Sequence, residues 1–158
     1  MGYNGLKKSW IFPGQASQFV GMGKDLFDST DVGKKYYNLA NDILEVDIQD
    51  ISFNGPEEKL KITKYTQPAI FIVSSVISHL LTESGHVPGC VAGHSLGEYS
   101  ALTAAGGISF ETGLELVKIR SNSMDKAGIT NPGTMAAIIG LNTVSYTHLT
   151  LPTRKRVL

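Results

Sequence analysis

The residues of this 158-residue chain with the plainest chemical reading are a serine set between two glycines, Gly93-His94-Ser95-Leu96-Gly97. Glycines on both sides of such a serine permit a sharp strand-to-helix turn. The turn exposes the hydroxyl at the positive N-terminal end of the next helix, where developing negative charge is favoured. The chemistry it serves is acyl transfer through a seryl ester, and the same five residues also suit a turn that is purely structural. A general base must be able to reach the serine proton. His94 is tied into the turn beside Ser95, which places its ring poorly for that task and gives it a structural or pocket role. His79 falls in an apolar helical stretch and reads as a satisfied core histidine, His86 falls in a turn, and Cys90 reads as core.

Arg120 is the most informative charge. It recurs with Leu116, Val117 and Met124 at helical spacing, on a face that is not obviously polar. A guanidinium there needs an anionic partner. Two fit: a ligand carboxylate gripped by the planar fork of N–H groups, or an acid of the same helix such as Glu115, with the arginine stem snorkelling toward water. No metal site and no bound redox cofactor is implied by the residues present.

The elements that must position these groups follow from pattern. Ser9 to Phe12 is a short apolar run closed by Pro13-Gly14, a buried strand feeding a turn. From Asp31, a suitable N-cap, Val32, Tyr36, Leu39, Ile43 and Leu44 recur as on an amphipathic helix. Pro56-Glu57-Glu58 opens a short helix, and Thr66-Gln67-Pro68 opens another. The body of the latter, Ala69 to Leu81, is apolar nearly all round, so it is expected to be buried, with Gly85 as its C′ residue. Gly89 to Gly93 reads as a buried strand, Leu96 to Ala105 as a helix ended by Gly106-Gly107, and Ser109 as the cap of a helix running to about Gly128. Thr134 to Ile139 reads as a further strand. Strands alternating with helices predict an α/β fold with a mainly parallel sheet, flanking helices and Ser95 on a strand-to-helix elbow.

Composition narrows the class. Apolar residues make up 42% of the chain, ample for a packed core. Lys plus Arg and Asp plus Glu balance at 14 each, which gives no global field for nucleic acid or an anionic membrane. Neither partner is expected. The opening residues lack the apolar stretch of a secretion signal, and the longest purely apolar run, Ala69 to Val73, is far short of the roughly 20 residues of a spanning helix. With a single cysteine, the expected location is cytoplasmic.

Four segments, in order, resemble the malonyl-CoA:acyl carrier protein transacylase family. They are Phe12-Pro13-Gly14-Gln15-Ala16-Ser17-Gln18, Thr66-Gln67-Pro68-Ala69-Ile70-Phe71, the ten residues from Gly93 to Leu102, and Gly133 to Gly140. Ala16 stands where the family usually has glycine, a small change that the loop is expected to survive. The resemblance covers about Lys8 to Leu141, a partial acyltransferase domain whose smaller second subdomain only begins near 134–140. Residues 142–158 match nothing expected there and read as a non-family tail, of the kind a cloning scar or assembly join leaves. The resemblance implies that Ser95 is the nucleophile and that the main-chain N–H groups of Gln15 and Leu96 form the oxyanion hole. It implies that Arg120 binds the malonyl carboxylate, that Met124 lines the same pocket, and that Gln67 is an active-site glutamine, for which helix capping is an equally natural role. It further implies malonyl-CoA as substrate, acyl carrier protein as partner, and a base histidine in a later segment. Two other readings stay open: a serine hydrolase or lipase, which has no need of a carboxylate clamp, and an incomplete, non-catalytic domain that exposes apolar surface.

Overall fold

The computed structural model describes residues 8–131 and Gly140. The expected strand at 134–139, the second subdomain and the boundary at Leu141 lie outside the described residues. Two strands, β1 (Ser9–Phe12) and β2 (Cys90–Gly93), pair in parallel with Phe12 opposite Gly93. Seven helices accompany them among the described residues: α1 (Lys24–Ser29), α2 (Asp31–Leu44), α3 (Ile48–Asn54), α4 (Glu57–Leu60), α5 (Thr63–Glu83), α6 (Gly97–Ala104) and α7 (Phe110–Thr130). The architecture is mixed α/β, mostly helical with a small parallel sheet, as the alternating pattern predicts.

Local chemistry explains most of the boundaries. The Ser109 hydroxyl accepts the Thr112 N–H and starts α7, and Gly106, with φ 73°, closes the turn after α6. Gly85, with φ 81°, follows α5 as expected. The cap of α2 is Thr30, whose hydroxyl accepts the Gly33 N–H, and not Asp31, which is the first helical residue and favours the positive helix end by charge alone.

Helix α5 departs from its expected start. It begins at Thr63, so Pro68 lies inside it, and Gln67 cannot be a cap. Pro68 removes one backbone donor near the first turns, and the Thr66 hydroxyl ties that end of the helix to the Leu60 carbonyl. The remainder of α5 is the axis of the core. Phe71, Ile72 and Val76 are buried against Tyr37 and Ala40 of α2, Ile48 and Ile51 of α3, and Leu114 and Val117 of α7. Removing that apolar surface from water is the main stabilising term, at about 25 cal/mol per Å².

The strands are less buried than their apolar residues predict. Phe12 is 6% exposed, but its neighbour Ile11 is 78% exposed, and Cys90, expected in the core, is exposed with its Sγ 3.0 Å from Ser9 Oγ. A parallel sheet is covered on both faces only where elements pack on both. Beside β1 the described residues leave an open groove of about 600 Å³, bounded by Trp10, Ile11, Phe19, Val73, Ile77 and Leu81.

Candidate active site

The nucleophile turn is built from backbone packed against backbone. Ser95 takes φ 55°, a left-handed conformation that a non-glycine residue adopts only when its surroundings hold it there. Three glycines do the holding. A Cβ on Gly93 would collide with the Gly97 backbone, one on Gly97 with the Phe12 carbonyl, and one on Gly14 with the ring and carbonyl of His94. The His94 N–H donates to the Phe12 carbonyl at 3.0 Å, and the Gly97 N–H to the His94 carbonyl at 2.9 Å. The end of β1, the loop after it and the turn between β2 and α6 are thereby locked together, with Ser95 at the sheet's carboxyl edge.

The side chains that converge on Ser95 come from two other helices and the first loop. Arg120 of α7 donates from Nη2 to Ser95 Oγ at 2.9 Å and from Nη1 to Gln67 Oε1 at 2.6 Å, with the Tyr99 ring centroid 6.0 Å from its Cζ. Gln67, fully buried, donates from Nε2 to Gln15 Oε1 at 3.4 Å and lies 3.3 Å from Met124 Sδ. Gln15 in turn donates from Nε2 to Thr63 Oγ1 at 3.2 Å. Among the described residues no acidic side chain forms an ion pair with Arg120, so the Glu115 pairing is not made. An unneutralised guanidinium attracts anions.

The first loop is held by its own side chains. Ser17 Oγ donates to the Gly14 carbonyl at 2.8 Å, and the Ala16 N–H donates to Gln18 Oε1 at 2.9 Å. Ala16 has φ 84°, so the position where a glycine is usual is one that glycine suits. The main-chain N–H groups of Gln15 and Leu96 make no hydrogen bond among the described residues, and Leu96 is fully buried.

The structure therefore brings Ser95, Gln15, Gln67, Arg120, Met124 and the Leu96 backbone into one cluster. His94 contributes backbone, while its ring rests against Gly14 and makes no bond to Ser95. No histidine nitrogen or carboxylate among the described residues bonds Ser95 Oγ. His79 lies away from the site, half-buried instead of in the core, with Nδ1 2.9 Å from the Tyr36 hydroxyl. Thr63 and Tyr99 are neighbours of the site that the pattern of residues does not single out. Their signal is tertiary, since Thr63 stands 48 positions from Gln15.

Comparison with known proteins gives the cluster a context. The Bacillus subtilis (strain 168) malonyl CoA-acyl carrier protein transacylase is 40% identical over 144 residues, which cover 91% of this chain and 45% of that protein. The solved structure of the Synechocystis sp. PCC 6803 malonyl-CoA:ACP transacylase superposes with TM-score 0.74 at 48% identity, covering 77% of this chain and 41% of that one. A malonyl-transacylase solved in complex with a type II PKS acyl-carrier protein gives TM-score 0.73 at 41% identity, covering 77% and 40%. The chain thus spans less than half the length of the relatives it matches. Residues 9–151 match the model described as an acyl transferase domain, and the chain belongs to that family.

Proposed function

We propose that this chain carries the nucleophile and carboxylate-binding parts of a malonyl-CoA:acyl carrier protein transacylase of fatty acid biosynthesis. The observation that carries the reading is Arg120, unpaired by any acid among the described residues and held 2.9 Å from Ser95 Oγ. A guanidinium is the group best fitted to a carboxylate, and here it hydrogen-bonds the nucleophile itself, so an acyl group on Ser95 would have a cation beside it. A serine hydrolase has no use for it.

In the proposed reaction Ser95 Oγ attacks the thioester carbonyl of malonyl-CoA while its proton passes to a base. The oxyanion is met by the N–H groups of Gln15 and Leu96 at the start of α6. Coenzyme A leaves as a thiol after taking up a proton, and a malonyl ester remains on Ser95. The phosphopantetheine thiol of acyl carrier protein then attacks that ester, and Ser95 recovers its proton. Arg120 clamps the free malonyl carboxylate through both steps, Met124 walls the pocket, and Gln67 steadies the clamp. His94 serves through its backbone, by shaping the elbow. No bound cofactor enters the scheme, and malonyl-CoA is a substrate. The carrier-protein partner is supported by the solved relative in complex with one. A cytoplasmic setting accords with the expectation from composition; no helix among the described residues is long and apolar enough to cross a membrane.

We place the base histidine in the part of the relatives that this chain does not span, and expect the 158-residue chain to acylate slowly. General-base assistance is typically worth about 10²–10⁴-fold. The test is to incubate malonyl-CoA with this chain and with the chain joined to the C-terminal part of the Bacillus subtilis relative, then to locate the adduct by peptide mass spectrometry. A malonyl adduct on the Ser95 peptide, fast in the joined protein and slow in the short one, is expected. An adduct that persists in Ser95→Ala rejects the nucleophile, and equal rates in the two proteins reject the placement of the base.

A further inference from the structure

The two N–H groups assigned to the oxyanion belong to peptides that are held in the same way. In a planar trans peptide the N–H points opposite to the carbonyl of the residue before it, so whatever anchors that carbonyl also aims the N–H. For Leu96 the carbonyl is that of Ser95, which accepts the Glu98 N–H at 3.2 Å, three residues on, in the first turn of α6. For Gln15 the carbonyl is that of Gly14, which accepts the Ser17 hydroxyl at 2.8 Å, again three residues on. The first anchor is main chain and comes with the helix. The second is a side chain, supplied where the loop has no helix.

Ser17 must be the donor in its bond, because a carbonyl only accepts. Gly14 is buried, and no other group among the described residues bonds its oxygen. The Cα of Gly14 is fixed separately: a Cβ built on it would lie 2.7 Å from both the carbonyl oxygen and the ring Nδ1 of His94, so the elbow grips the loop at that atom. The grip does not fix rotation of the Gly14–Gln15 peptide, and a residue without a Cβ resists such rotation least. The Ser17 bond supplies that constraint. A bonded carbonyl also polarises its own amide, which makes the N–H on the far side a better donor. The other side-chain bond of the loop, from the Ala16 N–H to Gln18 Oε1, lies one peptide further on and leaves the Gly14 carbonyl untouched.

We infer that Ser17 is a positioning residue: through the Gly14 carbonyl it orients and polarises the Gln15 N–H that meets the oxyanion. The inference deepens the malonyl-transfer reading and rests on it for the part that the Gln15 N–H plays. The oxyanion forms on the thioester carbonyl, which every acyl donor has. Ser17 therefore acts alike on malonyl and acetyl transfer, whereas Arg120 discriminates between them.

The experiment compares Ser17→Ala with Ser17→Thr, which keeps the hydroxyl, and with Gln18→Ala, which frees the same loop without touching the Gly14 carbonyl. All three are made in the 158-residue chain. Nitrogen-15 NMR follows the Gln15 and Leu96 amides, and mass spectrometry gives the rate of Ser95 acylation by malonyl-CoA and by acetyl-CoA over a range of concentrations. Ser17→Ala is expected to move the Gln15 amide upfield and to leave that of Leu96 in place. It should slow acylation by both donors about three- to tenfold at saturation, with the half-saturating concentrations unchanged. Ser17→Thr restores signal and rate, and Gln18→Ala keeps the parent rate. An unmoved Gln15 amide in Ser17→Ala overturns the inference, and so does a loss confined to malonyl. A slowing that Gln18→Ala reproduces, or that Ser17→Thr fails to rescue, overturns it too, being the mark of a residue that only orders the loop. If the parent takes no acyl group on Ser95, the malonyl-transfer reading fails, and the Gln15 signal still decides whether Ser17 sets that peptide.

Discussion

At the elbow, position is fixed by backbone lying on backbone: Gly14, Gly93 and Gly97 have no room for a Cβ, and main-chain hydrogen bonds tie His94 to Phe12. In the polar row from Arg120 to Thr63, position is fixed by side chains from α7, α5 and the first loop. The first kind of constraint is steric and fails all at once. The second is directional and fails by degrees, because each link contributes on the order of 1 kcal/mol. The two halves of one site should therefore respond differently to substitution.

The largest effect is expected where sterics rule. Gly97→Ala forces a Cβ into the Phe12 carbonyl, which has no flexible end to move aside, and should lower stability by about 3 kcal/mol and abolish Ser95 acylation. A urea melt alongside the adduct assay checks both, and near-normal stability would show that the elbow has slack. Next comes the clamp. Arg120→Ala in the joined protein should lower malonyl transfer about ten- to a hundredfold in kcat/KM, a loss of roughly 1.5–3 kcal/mol, and acetyl transfer much less. Equal losses for both substrates would make Arg120 a structural residue and move it to the elbow's side of the comparison.

The smallest effect concerns the loop between the two regions. Ala16 holds φ 84° at a cost that glycine does not bear, so Ala16→Gly should raise the stability of the chain by about 1 kcal/mol, read as a higher urea midpoint. A lower midpoint would mean that the bond from the Ala16 N–H to Gln18 and its neighbours relieve the strain more fully than backbone geometry suggests.

The same contrast decides what could be read from sequence. The elbow is legible because Gly93, Ser95 and Gly97 lie within five consecutive residues, with only Gly14 distant in sequence, and the cap of α7 because Ser109 and Thr112 are local partners. Arg120 is half legible: its odd place on an apolar helix face shows, but whether it pairs with Glu115 or a ligand depends on contacts from α5 and the elbow. Gln67 is recognisable by its neighbours in sequence, yet Pro68 beside it suggests a helix start, while tertiary packing carries α5 back to Thr63. The short α1 and α3 go unseen, since six and seven residues give too little periodicity to detect. Strand burial is misjudged for a related reason. Apolar residues in β1 and β2 announce that they are suited to burial, whereas exposure depends on which elements lie above them.

The pairing of β1 with β2 also bears on the order in which the molecule is assembled. Ser9 and Cys90 meet across 81 residues, with α1 to α5 between them. Closing a loop of that length costs roughly 4 kcal/mol in chain entropy, against a fraction of that for the neighbouring turns within the helices. Four residue pairs cannot repay such a debt alone. The helical layer formed by α2, α3 and α5 must already have shortened the path before Phe12 and Gly93 can come together. The nucleophile turn is consequently among the last features to take shape, and a chain with a loosened helical core loses its active serine geometry before it loses its helices.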